Sequence, residues 1–141
     1  MKTYKLLLVL LMGVSMACNG DDDNNFNGCD DGVIISGSEF VNAPSDQLTI
    51  SNLEITDNCL AITFSASGCS GESWRIKLID AAEVLDSDPQ QRNLRLSLKN
   101  DELCDAIITR TVSFDLTRLQ LDGNEIILRI ANNSSQISYR Y

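Results

Sequence analysis

The sequence contains no histidine, the side chain that proteins use most often as a general base near neutral pH. It has no Cys-X-X-Cys pair either, and a zinc site would need four cysteines spaced by 29, 9 and 34 residues, unlike structural zinc patterns. No glycine-rich phosphate loop follows a predicted strand, and no nucleophile elbow is present. We therefore expect no metal, no cofactor and no enzyme activity.

Basic side chains are absent from Cys18 to Ser73, a stretch that carries ten acidic residues. The whole chain has 11 Lys and Arg against 20 Asp and Glu, a formal net charge of -9. Because binding to a nucleic acid depends on cations that neutralise phosphates, this charge argues against a nucleic-acid partner. The acidity favours solubility, and contact with a cation or a basic partner is the alternative interpretation.

No apolar run of the sequence is long enough to cross a membrane. The longest, residues 6–14, would span as a helix roughly half of a hydrocarbon core of about 30 Å. Lys2 and Lys5 precede this run and small residues follow it, so residues 1–17 have the three parts of a secretory signal peptide.

Cys18 follows this signal directly and opens a polar, acidic stretch, residues 18–28. Such a composition cannot pack and predicts a solvated, flexible tether. The remaining residues, 29–141, are enough for one domain with a single core.

A cysteine between an apolar run and an acidic tether resembles the signal of bacterial lipoproteins of the Bacteroidota. In that family the cysteine thiol receives diacylglycerol and becomes the mature N-terminus. Asp21, Asp22 and Asp23 look like the acidic export signal that many of these lipoproteins carry, although Ser15 stands where the usual pattern has Leu. The resemblance implies a lipid anchor on Cys18 that holds the protein in the outer membrane, at the cell surface. The alternative is that the anchored protein faces the periplasm. An ordinary signal peptide cut at Ala17 would instead leave a free thiol.

Most of the chain after the tether alternates apolar and polar residues with the period of a β-strand. Leu60, Ile62 and Phe64 alternate with small or polar residues, and turn signals recur every eight to twelve residues. Residues 39–41 are expected to form a strand, and residues 81–93 a short helix or a long loop. The pattern predicts an all-β, antiparallel β-sandwich of about seven to eight strands, immunoglobulin-like in layout, with an open barrel as the alternative.

With Cys18 reserved for lipid, four cysteines remain for two disulfides in an oxidising compartment. Cys59 and Cys69 flank one predicted strand, whose length keeps them too far apart to bond to each other. If successive strands alternate in direction, Cys29 lies at the same end as Cys59, and Cys69 at the same end as Cys104. We therefore predict the pairs Cys29–Cys59 and Cys69–Cys104.

Two groups of residues are candidates for ligand binding. Trp74, the only tryptophan, follows a flexible loop and could stack on a sugar, although its alternation with Ile76 and Leu78 favours a place in the core. Four cations point outward on two predicted strands and would form an anion-binding patch if those strands are neighbours: Arg75, Lys77, Arg95 and Lys99. Pairing of these cations with nearby acids is the alternative.

These observations favour an envelope lipoprotein that acts as a binding or adhesion module for a glycan, a peptide or a protein partner. A structural accessory subunit of an outer-membrane complex, with no soluble ligand, is the alternative.

Overall fold

A computed structural model describes residues 26–141 of the 141-residue chain. The predicted signal peptide of residues 1–17, Cys18 and the predicted tether up to residue 25 lie outside the described residues. The elements follow in the order β1 (Asp31–Gly32), β2 (Ile34–Ile35), α1 (Gly37–Asn42), β3 (Thr49–Thr56), β4 (Cys59–Gly68), β5 (Arg75–Leu85), β6 (Gln91–Lys99), β7 (Ala106–Asp115), β8 (Glu125–Ile130) and β9 (Ser135–Arg140). No helix within residues 26–141 is long and apolar enough to cross a membrane.

The nine strands form two separate sheets, with the orders β1-β7-β4-β3 and β2-β5-β6-β8-β9. The long pairs β3–β4, β4–β7, β5–β6 and β8–β9 are antiparallel, whereas β1–β7, β2–β5 and β6–β8 are parallel. The predicted all-β sandwich is therefore confirmed, in preference to the open barrel.

The core lies between the sheets and follows the predicted alternation. On β4, Leu60, Ile62 and Phe64 are fully buried, and Leu96 on β6 and Leu128 on β8 face them from the other sheet. Burial of each such side chain stabilises the fold by about 1.5–3 kcal/mol. This burial is what holds the two sheets together.

The first sheet contains a tight hairpin and a β-bulge. Thr56 pairs with Cys59 across the turn, where Asp57 has a φ of 52°, and the register shifts between Ile50 and Asn52. The bulge explains why the apolar side chains of β3 change phase along the strand.

Residues 39–41 form part of helix α1, so the strand expected there is wrong. The hydroxyl of Ser36 accepts a hydrogen bond from the backbone N–H of Glu39 at 3.2 Å and caps the helix. The residues of α1 have no buried side chain, so they lack the apolar period that would have revealed the helix.

The short helix or long loop expected at residues 81–93 is also wrong, because β5 continues to Leu85 and β6 begins at Gln91. A register shift between Asp80 and Val84 interrupts the apolar alternation there. Asp80 is fully buried and binds Arg92 through two hydrogen bonds of 2.8 and 2.9 Å. This ion pair lies next to the register shift between β5 and β6.

Asn132, in the turn between β8 and β9, extends the five-stranded sheet with its side chain. Its Oδ1 accepts from the N–H of Leu96 at 2.8 Å, and its Nδ2 donates to the carbonyl of Leu96 at 2.9 Å. The amide therefore replaces a strand partner for β6 beyond Leu94, where the pairing with β8 stops.

Candidate functional site

The two disulfides lie at opposite ends of the domain. Cys29 bonds to Cys59 at the start of β4, with 5.6 Å between their Cα atoms. Cys69 directly follows the last residue of β4 and bonds to Cys104, with 4.9 Å between Cα atoms. The pairs are those expected from strand direction. Because a ten-residue strand rises by about 3.3 Å per residue, the disulfides lie roughly 30 Å apart.

The end opposite the N-terminal segment, which we call the distal end, consists of residues 69–73 and 100–107. It carries two of the large apolar side chains that are exposed in the structure. Leu103 is 95% exposed and Ile107 is 71% exposed. Neither side chain is part of the core of the free domain, so only contact with another molecule would bury it.

The carboxylate of Glu102 joins the two loops of the distal end. It accepts hydrogen bonds of 2.6–3.1 Å from the backbone N–H groups of Cys69, Ser70 and Gly71, and one of 2.9 Å from the Ser73 hydroxyl. These donors, the Gly71 amide foremost, lower the pKa of Glu102 from 4.5 to about 2. The carboxylate is therefore charged at neutral pH, and its hydrogen bonds hold the two loops of the distal end together.

A cavity of about 380 Å³ adjoins Ile107 on the outer face of the four-stranded sheet. Its rim is held by Asn100, whose backbone N–H donates to Asp46 at 2.7 Å and whose side chain donates to the carbonyl of Ser67 at 2.7 Å. The distal end thus combines a protruding leucine with a small depression on the adjoining sheet face.

Acidic side chains are exposed around this surface. The carboxylate of Asp101 lies 2.8 Å from Lys99 Nζ and 3.6 Å from Arg75 Nη2. Glu72 and Asp105 are exposed and form no ion pair with other residues of the range 26–141. A partner with basic side chains around an apolar contact would complement this charge.

Trp74 belongs to the core beneath the distal end. It is 6% exposed, and its ring centroid lies 5.9 Å from that of Phe64. Gly71 lies against it from the loop side, and Arg110 Nη1 holds Gly71 by donating to its carbonyl at 2.6 Å. A sugar could not stack on the indole without displacing this loop, so Trp74 packs in the core and the stacking interpretation is wrong.

The four cations expected to form an anion-binding patch do lie on neighbouring strands, because β5 pairs with β6. Each of them is nevertheless engaged by a group of the protein. Lys77 Nζ binds Glu39 at 3.1 Å, and Arg75 and Lys99 share Asp101. The alternative, pairing with nearby acids, describes these three cations better than a free basic patch does.

Arg95, the fourth cation, holds helix α1 on the sheet. Its guanidinium donates to the carbonyls of Phe40 at 2.7 Å and of Glu39 and Ala43 at 3.1 Å each, with a longer bond of 3.4 Å to Pro44. The Phe40 and Ala43 carbonyls lie at the C-terminal end of the helix, so Arg95 acts as its C-terminal cap. Four of its five N–H donors are occupied by backbone oxygens, so little of the guanidinium is available to an anion.

Sequence reasoning missed Glu102, Leu103 and Ile107. The available signal was a single leucine within an otherwise polar loop, directly before a cysteine assigned to a disulfide. A single apolar residue has no period, so its exposure is visible only in the structure.

No protein-family model matches the chain, and no curated protein matches its sequence. Solved structures that are similar in fold include the following. A NigD-like immunity protein from Bacteroides caccae shares 8% identity at a TM-score of 0.57, over 76% of this chain and 57% of that one. A protein of unknown function, DUF1344, from Bacteroides vulgatus shares 14% identity at a TM-score of 0.53, over 79% and 56%.

The third, a putative toxin-related protein from Parabacteroides distasonis, shares 18% identity at a TM-score of 0.49, over 78% of this chain and 59% of that one. This chain therefore spans less than two thirds of each solved chain. The first two come from Bacteroides species, within the Bacteroidota whose lipoprotein signals the N-terminus resembles. At these identities, the first two comparisons establish that the chain shares its fold with proteins of that group.

Proposed function

We propose that this protein is a non-catalytic binding module of the cell envelope, anchored by a lipid on Cys18 and binding a protein partner through its distal end. The anchor places the protein in the outer membrane, with the distal end turned away from the bilayer. The lipoprotein resemblance of the N-terminus and the position of the Cys29–Cys59 disulfide at the opposite end from Cys104 support this orientation.

The observation that carries the proposal is the way in which Leu103 is held. It lies between Glu102, which accepts hydrogen bonds from four donor groups, and Cys104, which is covalently bonded to Cys69. Its backbone is thus fixed while its side chain is 95% exposed. A pre-organised apolar side chain loses little conformational entropy when a partner buries it, which favours its use as a binding anchor.

The charge around Leu103 restricts the kind of partner. Glu72 and Asp105 are exposed and have no basic partner within the described part of the chain. We expect the partner to present an apolar pocket with Lys or Arg at its rim. The fold similarity to a NigD-like immunity protein makes an immunity role one form that this binding would take.

The test compares Leu103→Glu with a matched control, Val41→Glu, in the full-length anchored protein. Val41 is also highly exposed, at 76%, but lies on α1 away from the distal end. A partner captured from the native envelope by chemical cross-linking would be purified, and its affinity for both variants measured. We expect Leu103→Glu to weaken binding at least about tenfold, and Val41→Glu to bind like the wild type.

Equal binding by both variants would contradict the distal-end proposal. A partner complex that co-purifies with either variant, without any measurable affinity for the isolated protein, would instead indicate a structural accessory subunit.

A further inference from the structure

A cavity of about 420 Å³ lies on the outer face of the five-stranded sheet, between α1 and the turn that joins β8 to β9. Phe40 of α1 forms one wall, and residues 129–131 and 134–136 form the other. Ligand cavities commonly have volumes of about 300–1,000 Å³. The cavity is therefore large enough for a small ligand such as one or two sugar rings, and it shares no lining residue with the distal end.

Three polar side chains form a row across the floor of this cavity. Arg129 of β8 pairs in register with Asn93 of β6 on one side and with Gln136 of β9 on the other. Residues in register lie on the same face of a sheet, and strands are about 4.8 Å apart, so the row is roughly 10 Å long. The guanidinium of Arg129 is thus flanked by two side-chain amides, and the row of three is comparable in length to a sugar.

Arg129 gives the cavity a positive charge that nothing in its lining neutralises. The side chain is exposed and forms no ion pair with the other residues of the range 26–141, and no lining residue is acidic. A guanidinium with free donors binds a planar carboxylate through two parallel hydrogen bonds.

Phe40 supplies an apolar wall in a fixed position. Arg95 Nε donates to the carbonyl of Phe40 at 2.7 Å, and the guanidinium lies 5.9 Å from the centroid of the ring. The ring remains partly exposed toward the cavity. An aromatic side chain beside amides and one cation suits a ligand with an apolar face, several hydroxyl groups and one negative charge.

We propose that this cavity is a binding site for a carboxylated sugar of the uronic-acid or sialic-acid type. Arg129 binds the carboxylate, and Asn93 and Gln136 bind hydroxyl groups. Phe40 contacts the apolar face of the sugar ring. The site is separate from the distal end and does not depend on the protein-binding proposal.

The test is calorimetric titration of the full-length protein in detergent with sialyllactose, trigalacturonate, lactose and sulfated lactose. We expect at least one carboxylated sugar to bind with a Kd below about 1 mM, and the neutral and sulfated sugars to bind at least about tenfold more weakly. Arg129→Gln should lose this binding. Arg118→Gln, which removes an exposed arginine outside the cavity, should retain it.

The thermal unfolding of both variants is compared with that of the wild type, so that a loss of binding cannot be due to misfolding. The proposal is overturned if neither carboxylated sugar binds, if lactose or sulfated lactose binds as tightly, or if Arg129→Gln binds like Arg118→Gln. Unchanged sugar binding by Leu103→Glu would show that the two sites are independent.

Discussion

The carboxylate of Glu102 lies 2.6 Å from the backbone nitrogen of Cys69, across two loops that a disulfide also joins. Both connections act on the same pair of loops, but only the hydrogen bonds depend on pH. Protonation of Glu102 would remove an acceptor from several N–H groups at once. The stability of the distal end should therefore change with pH as the Glu102 carboxylate is protonated.

We predict that Glu102→Gln removes part of the acid sensitivity of the protein. The pKa of Glu102 is lowered from 4.5 to about 2, so its stabilising effect is complete above pH 4.5 and is lost as the pH falls toward 2. Measured by urea denaturation, the free energy of unfolding should fall more steeply between pH 4.5 and pH 2 for the wild type than for Glu102→Gln. Glu72→Gln, on the other loop of the distal end, is the control and should keep the wild-type slope.

Removal of one member of the buried ion pair Asp80–Arg92 should strongly lower the free energy of unfolding. Arg92→Met leaves a fully buried carboxylate without its cation, and we expect the free energy of unfolding to fall by about 3–5 kcal/mol. The double variant, with Asp80→Leu added, should recover much of this loss in chemical denaturation. Arg75→Met, which removes an exposed ion pair, should cost less than about 1 kcal/mol. Equal losses in Arg92→Met and Arg75→Met would contradict this account.

Arg95 should act in stability and not in anion binding. Arg95→Lys keeps the charge, but an ammonium cannot reach the carbonyls of Glu39, Phe40 and Ala43 together. We expect faster amide hydrogen exchange in α1 and a loss of about 1–3 kcal/mol in the free energy of unfolding. Lys77→Gln, which removes an exposed contact to the same helix, should leave the exchange rates of α1 nearly unchanged. Similar exchange in both variants would rule out a capping role.

The lipid anchor is tested by Cys18→Ser. Without the thiol no diacylglycerol can be attached, so we expect the variant to leave the membrane fraction while its four other cysteines remain paired. Cell fractionation and peptide mapping without reduction would measure the two outcomes. A variant that stays in the membrane fraction, or that forms other disulfides, would refute the assignment of Cys18.

The parts of the fold that could be predicted are those that a local period determines. The alternation of Leu60, Ile62 and Phe64 predicts both the strand and its buried face, because a one-residue shift of register would expose all three. Strand direction then limits which cysteines can meet, and the structure contains the expected pairs.

The parts that could not be predicted depend on contacts between distant residues. Arg95 alternates outward on its strand, and nothing nearby in sequence shows that its partners are the carbonyls of a six-residue helix more than fifty positions earlier. Arg129 likewise gains its candidate role only because α1 places Phe40 beside it. A six-residue helix without buried side chains leaves no apolar period in the sequence, so neither relationship was visible there.

The attachment of both disulfides to β4 has a mechanical consequence. If the protein is pulled between its N-terminal segment and a partner bound at Leu103, the load passes through Cys29 to Cys59, along β4 to Cys69, and then to Cys104. This path is covalent throughout and bypasses the hydrogen-bonded strands on either side. The domain could therefore transmit a pulling force through a single strand while the rest of the sandwich stays unloaded and folded.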